Sequence, residues 1–206
     1  MRRTCDILFA TILIVVLSPL YAVIALAVAV RFGANPLFKQ ERVGLSGTFE
    51  CLKFRTLPTS TDPSLPRSQS LQLPSAGHLS DFLRHRHLDE LPQVFNILKG
   101  DMTFVGPRPM IPSIVATLEA TPSAIRHSVH PGIAGLWQVS EDGAKQIEPH
   151  CELDVEYVAR RSLRLDLAIL FHSARNALGS PKLSRQDALS LATKLGKEPH
   201  RQAAPK

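Results

Sequence analysis

The chain has 206 residues, a net charge of +6 and a sequence pI near 9.5, which is long enough for one domain with a real core. One Trp and two Tyr leave little for base stacking. With no nucleic-acid-binding motif either, the basic balance points to phosphorylated substrates or acidic lipid headgroups, and no nucleic acid is expected as a partner. Cys5, Cys51 and Cys151 are widely spaced, form neither a zinc pattern nor a disulfide framework, and fit a reducing, cytoplasm-facing domain.

Residues 7–30 are almost unbroken apolar sequence, with Arg2, Arg3 and Asp6 before them and Arg31 after. As a helix they would reach roughly 36 Å, enough to span a bilayer. The run is too long for a cleaved signal peptide, despite its basic start and the small residues Ala25 and Ala27. Ser18-Pro19 sits at its centre. Pro19 removes a backbone donor and predicts a kink, which the Ser18 hydroxyl can partly offset by bonding a carbonyl of the preceding turn. Arg2 and Arg3 before the run, and Arg31, Lys39 and Arg42 after it, ask for the cytoplasm at both ends. A kinked helix that enters and leaves on one side therefore competes evenly with a Pro-kinked span.

Two strand-like stretches, residues 38–44 and 48–55, flank a turn at Gly44 to Gly47 and predict a hairpin. Residues 58–80, rich in Pro and Ser, read as a flexible surface loop. A helix is expected from near Asp89, because Leu91, Val94, Phe95 and Leu98 make a one-faced stripe and Gly100 is a natural stop. Pro92 is tolerated only in its first turn. Asp89 and Glu90 at such a start read as cap and first-turn acid, or as a carboxylate pair able to act as nucleophile or metal ligand. Gly106-Pro107-Arg108-Pro109 braces an arginine between two prolines, the kind of fixed cation that phosphate chemistry needs. Lys53, Arg55 and Arg84 are further cations.

Pro131-Gly132-Ile133-Ala134-Gly135 reads as a glycine-punctuated turn leading into a strand-like stretch through Val139. Residues 153–178 read as one helix. Leu163, Leu167, Leu170, Phe171, Ala174 and Leu178 form its apolar face, with Arg160, Arg161, Arg164 and Arg175 on or near the other. This pattern suits a helix lying on an anionic membrane as well as it suits a packed one. The end of the chain is polar and basic and is expected to be loosely ordered. The eight histidines lack the spacing of a zinc site.

In order, Ser18-Pro19, Lys53-Phe54-Arg55-Thr56, Phe82-Leu83-Arg84, the run LDELPQVFNILKGDMTFVGPRP from Leu88 to Pro109, PGIAGLWQVS from Pro131 and the stretch 157–170 resemble the bacterial sugar transferases. These are the monotopic polyprenyl-phosphate phosphoglycosyl transferases. The long run is highly specific; the other blocks are weaker but correctly ordered. The resemblance implies an α+β, mainly helical fold: a re-entrant helix-break-helix over residues 1–34, with Ser18 and Pro19 at the break, then a cytoplasmic domain over 35–178 with a small hairpin and amphipathic interfacial helices. A basic, disordered tail over 179–206 completes it. It also implies the small, catalytic-domain-only form.

By the same resemblance, a sugar 1-phosphate passes from a UDP-sugar to undecaprenyl phosphate with release of UMP. This is a first membrane step of exopolysaccharide, O-antigen or glycoconjugate synthesis, at the cytoplasmic face of the bacterial inner membrane. Asp89 would be the nucleophile, forming a phosphosugar-aspartyl intermediate. Glu90, with Asp89, would bind Mg2+ or assist the lipid phosphate. Arg108, with Arg84, Lys53 and Arg55, would hold phosphate oxygens. Anionic lipids are expected partners, and a homo-oligomer is left open. The chain departs from the family pattern in residues 58–80, at Glu141-Asp142 where Gly-Arg is usual, and at Arg161 where Trp is usual. The competing readings are a non-catalytic membrane-anchored adaptor of a polysaccharide assembly complex and a metal-dependent phosphodiesterase.

Overall fold

The computed structural model describes residues 2–62, 76–145 and 151–198, and these fall into two compact units. The first comprises residues 1–104 and 109–117, the second residues 105–108 and 118–206.

The first unit opens with helix α1 (Arg2–Phe32). Helical structure continues through Pro19. Local chemistry explains why. Pro19 has no N–H for the carbonyl of Val15, four residues back, and the Ser18 hydroxyl donates to that same carbonyl at 2.9 Å. The helix is apolar all round but not alike all round. Ala10, Ile24 and Val28 are buried, while Leu8, Ile12, Val15, Val16, Val23, Leu26 and Val30 are exposed. Its inner face meets the folded unit along its length. Phe9 stands edge-on to Phe104, the Tyr21 hydroxyl donates to the Leu91 carbonyl at 2.7 Å, and Arg31 donates to the Ala76 carbonyl.

The hairpin forms as expected. Strands β1 (Leu37–Gly44) and β2 (Gly47–Phe54) pair antiparallel, Leu37 opposite Phe54 and Gly44 opposite Gly47. Gly47 takes φ +113°, which its lack of a side chain permits. Of the 58–80 stretch, residues 63–75 lie outside the described residues, and its last residues open helix α2 (His78–His85). A single 3-10 turn, Leu88–Glu90, precedes helix α3 (Gln93–Lys99). The helix thus begins later than expected. The N-cap positions are His87 and Pro92, and no side-chain bond caps either start, so Asp89 is not the cap. Gly100 ends α3 with φ +102°. The buried face is Val94 and Ile97 with the polar Gln93 and Asn96, while Phe95 is 40% exposed. Asn96 earns its burial by splicing α3 to β2. It accepts from Leu52 N–H at 2.9 Å and donates to the Glu50 carbonyl at 2.7 Å. Ile24, Val28, Phe54 and Leu83 form one core cluster of the unit.

Strand β3 (Thr103–Val105) leads into the segment 105–108. Helix α4 (Pro112–Val115) belongs to the first unit, and the second unit continues with α5 (Ala120–Arg126), β4 (Gly132–Ala134), α6 (Leu136–Val139), α7 (Glu141–Lys145), α8 (Glu152–Arg160), α9 (Leu163–Ala177) and α10 (Arg185–Leu195). Three expectations change here. Leu136–Val139 is a helical turn, not strand. The long helix is two, divided at Arg161 and Ser162, because the Ser162 hydroxyl caps α9 by accepting from Leu165 N–H at 3.0 Å. The expected tail contains α10, whose Ala188 and Ala192 are fully buried; residues 199–206 lie outside the described residues.

Leu136, Trp137, Leu153, Leu165 and Ile169 join Ala188 and Ala192 in the second core. The α9 face expected to be its apolar stripe points outward: Leu163, Leu167 and Phe171 are 64%, 59% and 60% exposed. Asp142, one of the departures from the family pattern, lies 3.8 Å from Arg185 of α10.

Segment 105–108 is locked to the chain around β4. Gly106 N–H donates to the Ala134 carbonyl and Gly132 N–H to the Pro107 carbonyl, each at 2.9 Å. A Cβ at Gly132 would lie 2.0 Å from Gly106 N, and one at Gly106 would lie 2.5 Å from the His130 carbonyl oxygen. Gly132→Ala is therefore expected to destabilise the protein by roughly 1–3 kcal/mol or more, as overpacking does, read as a lowered thermal midpoint in detergent.

Candidate active site

A cleft in the first unit is built on one face of the hairpin. Side chains alternate along a strand, so the cross-strand register places Phe38, Gln40 and Arg42 of β1 on the same face as Lys53 of β2. All four line the cleft, together with Thr56, Asp62, Arg84 and Asp89. Lys53, Arg84 and Asp89 were expected at a site, and the structure brings them together. Arg84 arrives from α2 and Asp89 from the 3-10 turn.

The two adjacent carboxylates have different surroundings. Asp89 is half-buried and lines the cleft. Glu90 is buried and its Oε1 lies 2.9 Å from Lys53 Nζ, with both side chains at least 86% covered. A charge-assisted pair this well shielded has little water to compete with it. The 3-10 turn produces the split, since consecutive side chains on it point in different directions.

Besides Glu90, the expected Arg55 and Arg108 are not among the residues lining the cleft. Arg55 follows β2, and its Nε donates to the Asn35 carbonyl at 3.1 Å while its guanidinium lies over the Phe38 ring. Arg108 belongs to the second unit. There its backbone is held by Arg126, which is 1% exposed and donates from Nη2 to the Arg108 carbonyl at 2.7 Å. Arg126 also forms a buried ion pair with Asp154, with Nη2 and Nε 2.9 and 3.2 Å from Oδ2. Burial pushes the Asp154 carboxyl up, and the Arg126 guanidinium pulls it part of the way back.

His127 stands beside this pair. Its Nε2 is 3.2 Å from Arg126 Nη1 and its Nδ1 is 2.8 Å from the Ser123 carbonyl. A neutral ring with the proton on Nδ1 satisfies both contacts. Burial and the neighbouring guanidinium lower its pKa from the ordinary 6.5, against the Ser123 bond.

Gln40, Arg42, Thr56 and Asp62 were not foreseen in the cleft. Thr56 follows directly on the Lys-Phe-Arg run; strand parity with Lys53 was the available signal for Gln40 and Arg42, and Asp62 had none. Arg42 is buried and donates to the Pro109 carbonyl at 3.0 Å. Arg126 and Asp154 carried no sequence signal beyond being a charged residue near an apolar run.

Among the described residues no group of three or more His, Cys, Asp and Glu could hold a metal ion. The donor chemistry of Asp89 and Glu90 still suits magnesium, which takes oxygen from one or two carboxylates and completes its shell with water and substrate phosphates.

The chain combines a helix long and apolar enough to cross a membrane, a basic balance and a cleft lined by Asp89 together with Lys53 and Arg84, features consistent with membrane association. The chain belongs to the bacterial sugar transferase family, whose pattern matches residues 1–180. It is 37% identical over 184 residues to an uncharacterized sugar transferase, EpsL, of Bacillus subtilis, covering 87% of this chain and 88% of that one. It is 32% identical over 186 residues to the exopolysaccharide production protein ExoY of Sinorhizobium fredii, covering 82% of each. Against the UDP-glucose:undecaprenyl-phosphate glucose-1-phosphate transferase of Escherichia coli it is 34% identical over 182 residues. That match covers 83% of this chain and 39% of the relative, and the same 39% holds for an uncharacterized sugar transferase of Haemophilus influenzae. The chain thus spans about two fifths of the length of these two larger relatives.

Two outcomes follow from the geometry. Lys53→Met leaves the Glu90 carboxylate buried without its ammonium and should cost roughly 3 kcal/mol in chemical denaturation, largely restored by Glu90→Gln. For His127, the unfolded chain gains a proton near pH 6.5 that the folded ring resists. Stability should therefore fall as pH drops through that region, and His127→Gln should flatten that part of the profile.

Proposed function

We propose that this protein transfers a sugar 1-phosphate from a UDP-sugar to undecaprenyl phosphate. The observation that carries the reading is the division of the acid pair: Asp89 lines the cleft that Arg84 also lines, while Glu90 is turned onto Lys53. A nucleophile must reach substrate, and of the two carboxylates Asp89 is the one lining the cleft.

In the first step an Asp89 carboxylate oxygen attacks the phosphorus that bears the sugar. The new P–O bond forms as the bond to the bridging oxygen breaks, and UMP leaves. In the second step a phosphate oxygen of the lipid attacks the same phosphorus, the acyl-phosphate bond breaks, and Asp89 is regenerated. Covalent catalysis divides one meeting of three charged partners into two meetings of two. Arg84 and Lys53 neutralise phosphate oxygens in the cleft, and Arg108 is the further phosphate-binding cation. Arg55, engaged with Asn35 and Phe38, has the weaker case of the four. Magnesium would take a carboxylate oxygen of Asp89, with Glu90 joining only by leaving Lys53, and would supply charge neutralisation of the phosphates.

The anchor fits this chemistry. Near its start, α1 reaches the first unit through Arg3, which donates to the carbonyls of Ile97 and Leu98. Near its end, Ile24 and Val28 enter that unit's core. A perpendicular span would carry Arg3 about 30 Å to the far side of the bilayer. Contact of both ends with one folded unit supports a monotopic, re-entrant seat, with that unit at the cytoplasmic face of the inner membrane. The outward Leu163, Leu167 and Phe171 of α9, with Arg164 and Arg175 beside them, support contact with an anionic lipid surface.

The test incubates membranes carrying the full chain with radiolabelled UDP-sugars, magnesium and undecaprenyl phosphate. Lipid-linked sugar with UMP is the expected outcome. No UMP from any sugar would favour a membrane-anchored adaptor, and free sugar phosphate would indicate hydrolysis. Asp89→Asn should abolish essentially all turnover; near-normal activity in that variant would end the covalent scheme. Cysteine labelling near the N-terminus should report the cytoplasmic side.

A further inference from the structure

We propose that Arg126 is a positioning residue for Arg108, acting through the backbone of the Gly106-Pro107-Arg108-Pro109 loop. The inference rests on the phosphate-binding reading of Arg108 above.

The peptide between Arg108 and Pro109 has no N–H, because its nitrogen belongs to proline. Its carbonyl is the one polar handle that peptide offers. Arg126 Nη2 takes that handle at 2.7 Å. The preceding carbonyl, of Pro107, is taken by Gly132 N–H. The Tyr157 hydroxyl lies 3.0 Å from the Val105 carbonyl and 2.9 Å from Asp166 Oδ1, and its single proton serves one of them at a time. The Arg126 bond thus acts on the Arg108 backbone itself, from a donor that is buried.

Asp154 fixes the direction of that donor. A guanidinium is planar, and two of its nitrogens converge on Asp154 Oδ2, which sets the plane from which Nη2 reaches Arg108. The other carboxylate oxygen, Oδ1, is buried with no hydrogen-bond partner among the described residues. An ion pair this deep, with Arg126 1% and Asp154 3% exposed, is poorly explained as a stabiliser. Apolar residues of similar volume commonly match or exceed such pairs. What apolar residues cannot supply is the bond to Arg108.

The test is a cycle in full-length protein in membranes, following UMP release. The paired replacement Arg126→Met with Asp154→Leu keeps the volume and removes the bond. It should hold the thermal midpoint near wild type and lower turnover about 10²-fold, the scale of loss for a catalytic group displaced by about 1 Å. Placed on Arg108→Lys, the same replacement should add almost no further loss, because the two act through one group. A second variant, Arg126→Lys, keeps the charge for Asp154 but loses the planar fork, and should also lose turnover while remaining folded.

Wild-type turnover in Arg126→Lys, or equal losses on the two Arg108 backgrounds, would overturn the positioning role and leave the phosphate role of Arg108 standing. Wild-type turnover in Arg108→Lys alone would remove the phosphate role, and the inference with it.

Discussion

Two stretches of backbone, 105–108 and the chain around β4, approach so closely that neither Gly106 nor Gly132 leaves room for a methyl group. Backbone amides bridge them in both directions. Gly135 adds to the crossing, since a Cβ there would lie 2.5 Å from the Gly106 carbonyl oxygen. Much else depends on this contact. It sets where Pro107 and Arg108 stand, and Leu136 and Trp137, which follow it directly, enter the second core. The buried pair of Arg126 and Asp154 then finishes what the glycines begin. The missing side chains let the two segments come close, and a directed hydrogen bond from Arg126 holds the Arg108 carbonyl.

In the first unit the organising constraint is electrostatic. Two neighbouring carboxylates repel when both are ionised and desolvated. The fold separates them by environment: Glu90 goes inward to Lys53, and Asp89 stays at the cleft. The same Lys53 therefore serves the architecture and lines the cleft. The hairpin makes this economical, because strand parity delivers Gln40, Arg42 and Lys53 to one surface without any loop having to fold over it.

How much of this was legible in the sequence depended on the range of the interaction. The hairpin was readable because its turn chemistry is local, and Gly100 was readable as a stop for the same reason. Asp89, Arg84 and Lys53 were found as candidates through motif resemblance and local charge. Their convergence depends on pairing between β1 and β2 and on the placement of α2, which no window of sequence contains. The start of α3 was misplaced because Pro92 is compatible with a first turn and with the residue just before one. The split between α8 and α9 was missed although Ser162 stood in view. A serine inside an apolar stripe is weak evidence until its hydroxyl is seen on Leu165 N–H. The outward face of α9 shows the limit of periodicity. Apolar spacing identifies a face but does not say whether protein or lipid covers it. Helix α10 was read as tail because lysines and arginines are scattered through the stretch after Ser180, while the helix itself holds only Arg185 and Lys194 and buries Ala188 and Ala192 with Leu189, Leu191 and Leu195 packed beside them. Arg126 was invisible for a deeper reason: a buried arginine has the same letter as an exposed one.

The bond between Ser18 and Val15 has one more implication. Elsewhere in α1 a change of curvature stretches amide bonds that are fixed to the backbone. At Val15 the partner is a hydroxyl on a rotatable side chain, so the helix can flex at mid-length by torsion about one Cα–Cβ bond while the carbonyl stays satisfied. In hydrocarbon, where an abandoned carbonyl has no water to turn to, this makes Ser18 a compliant joint. A change of curvature there need not unwind a turn of the helix.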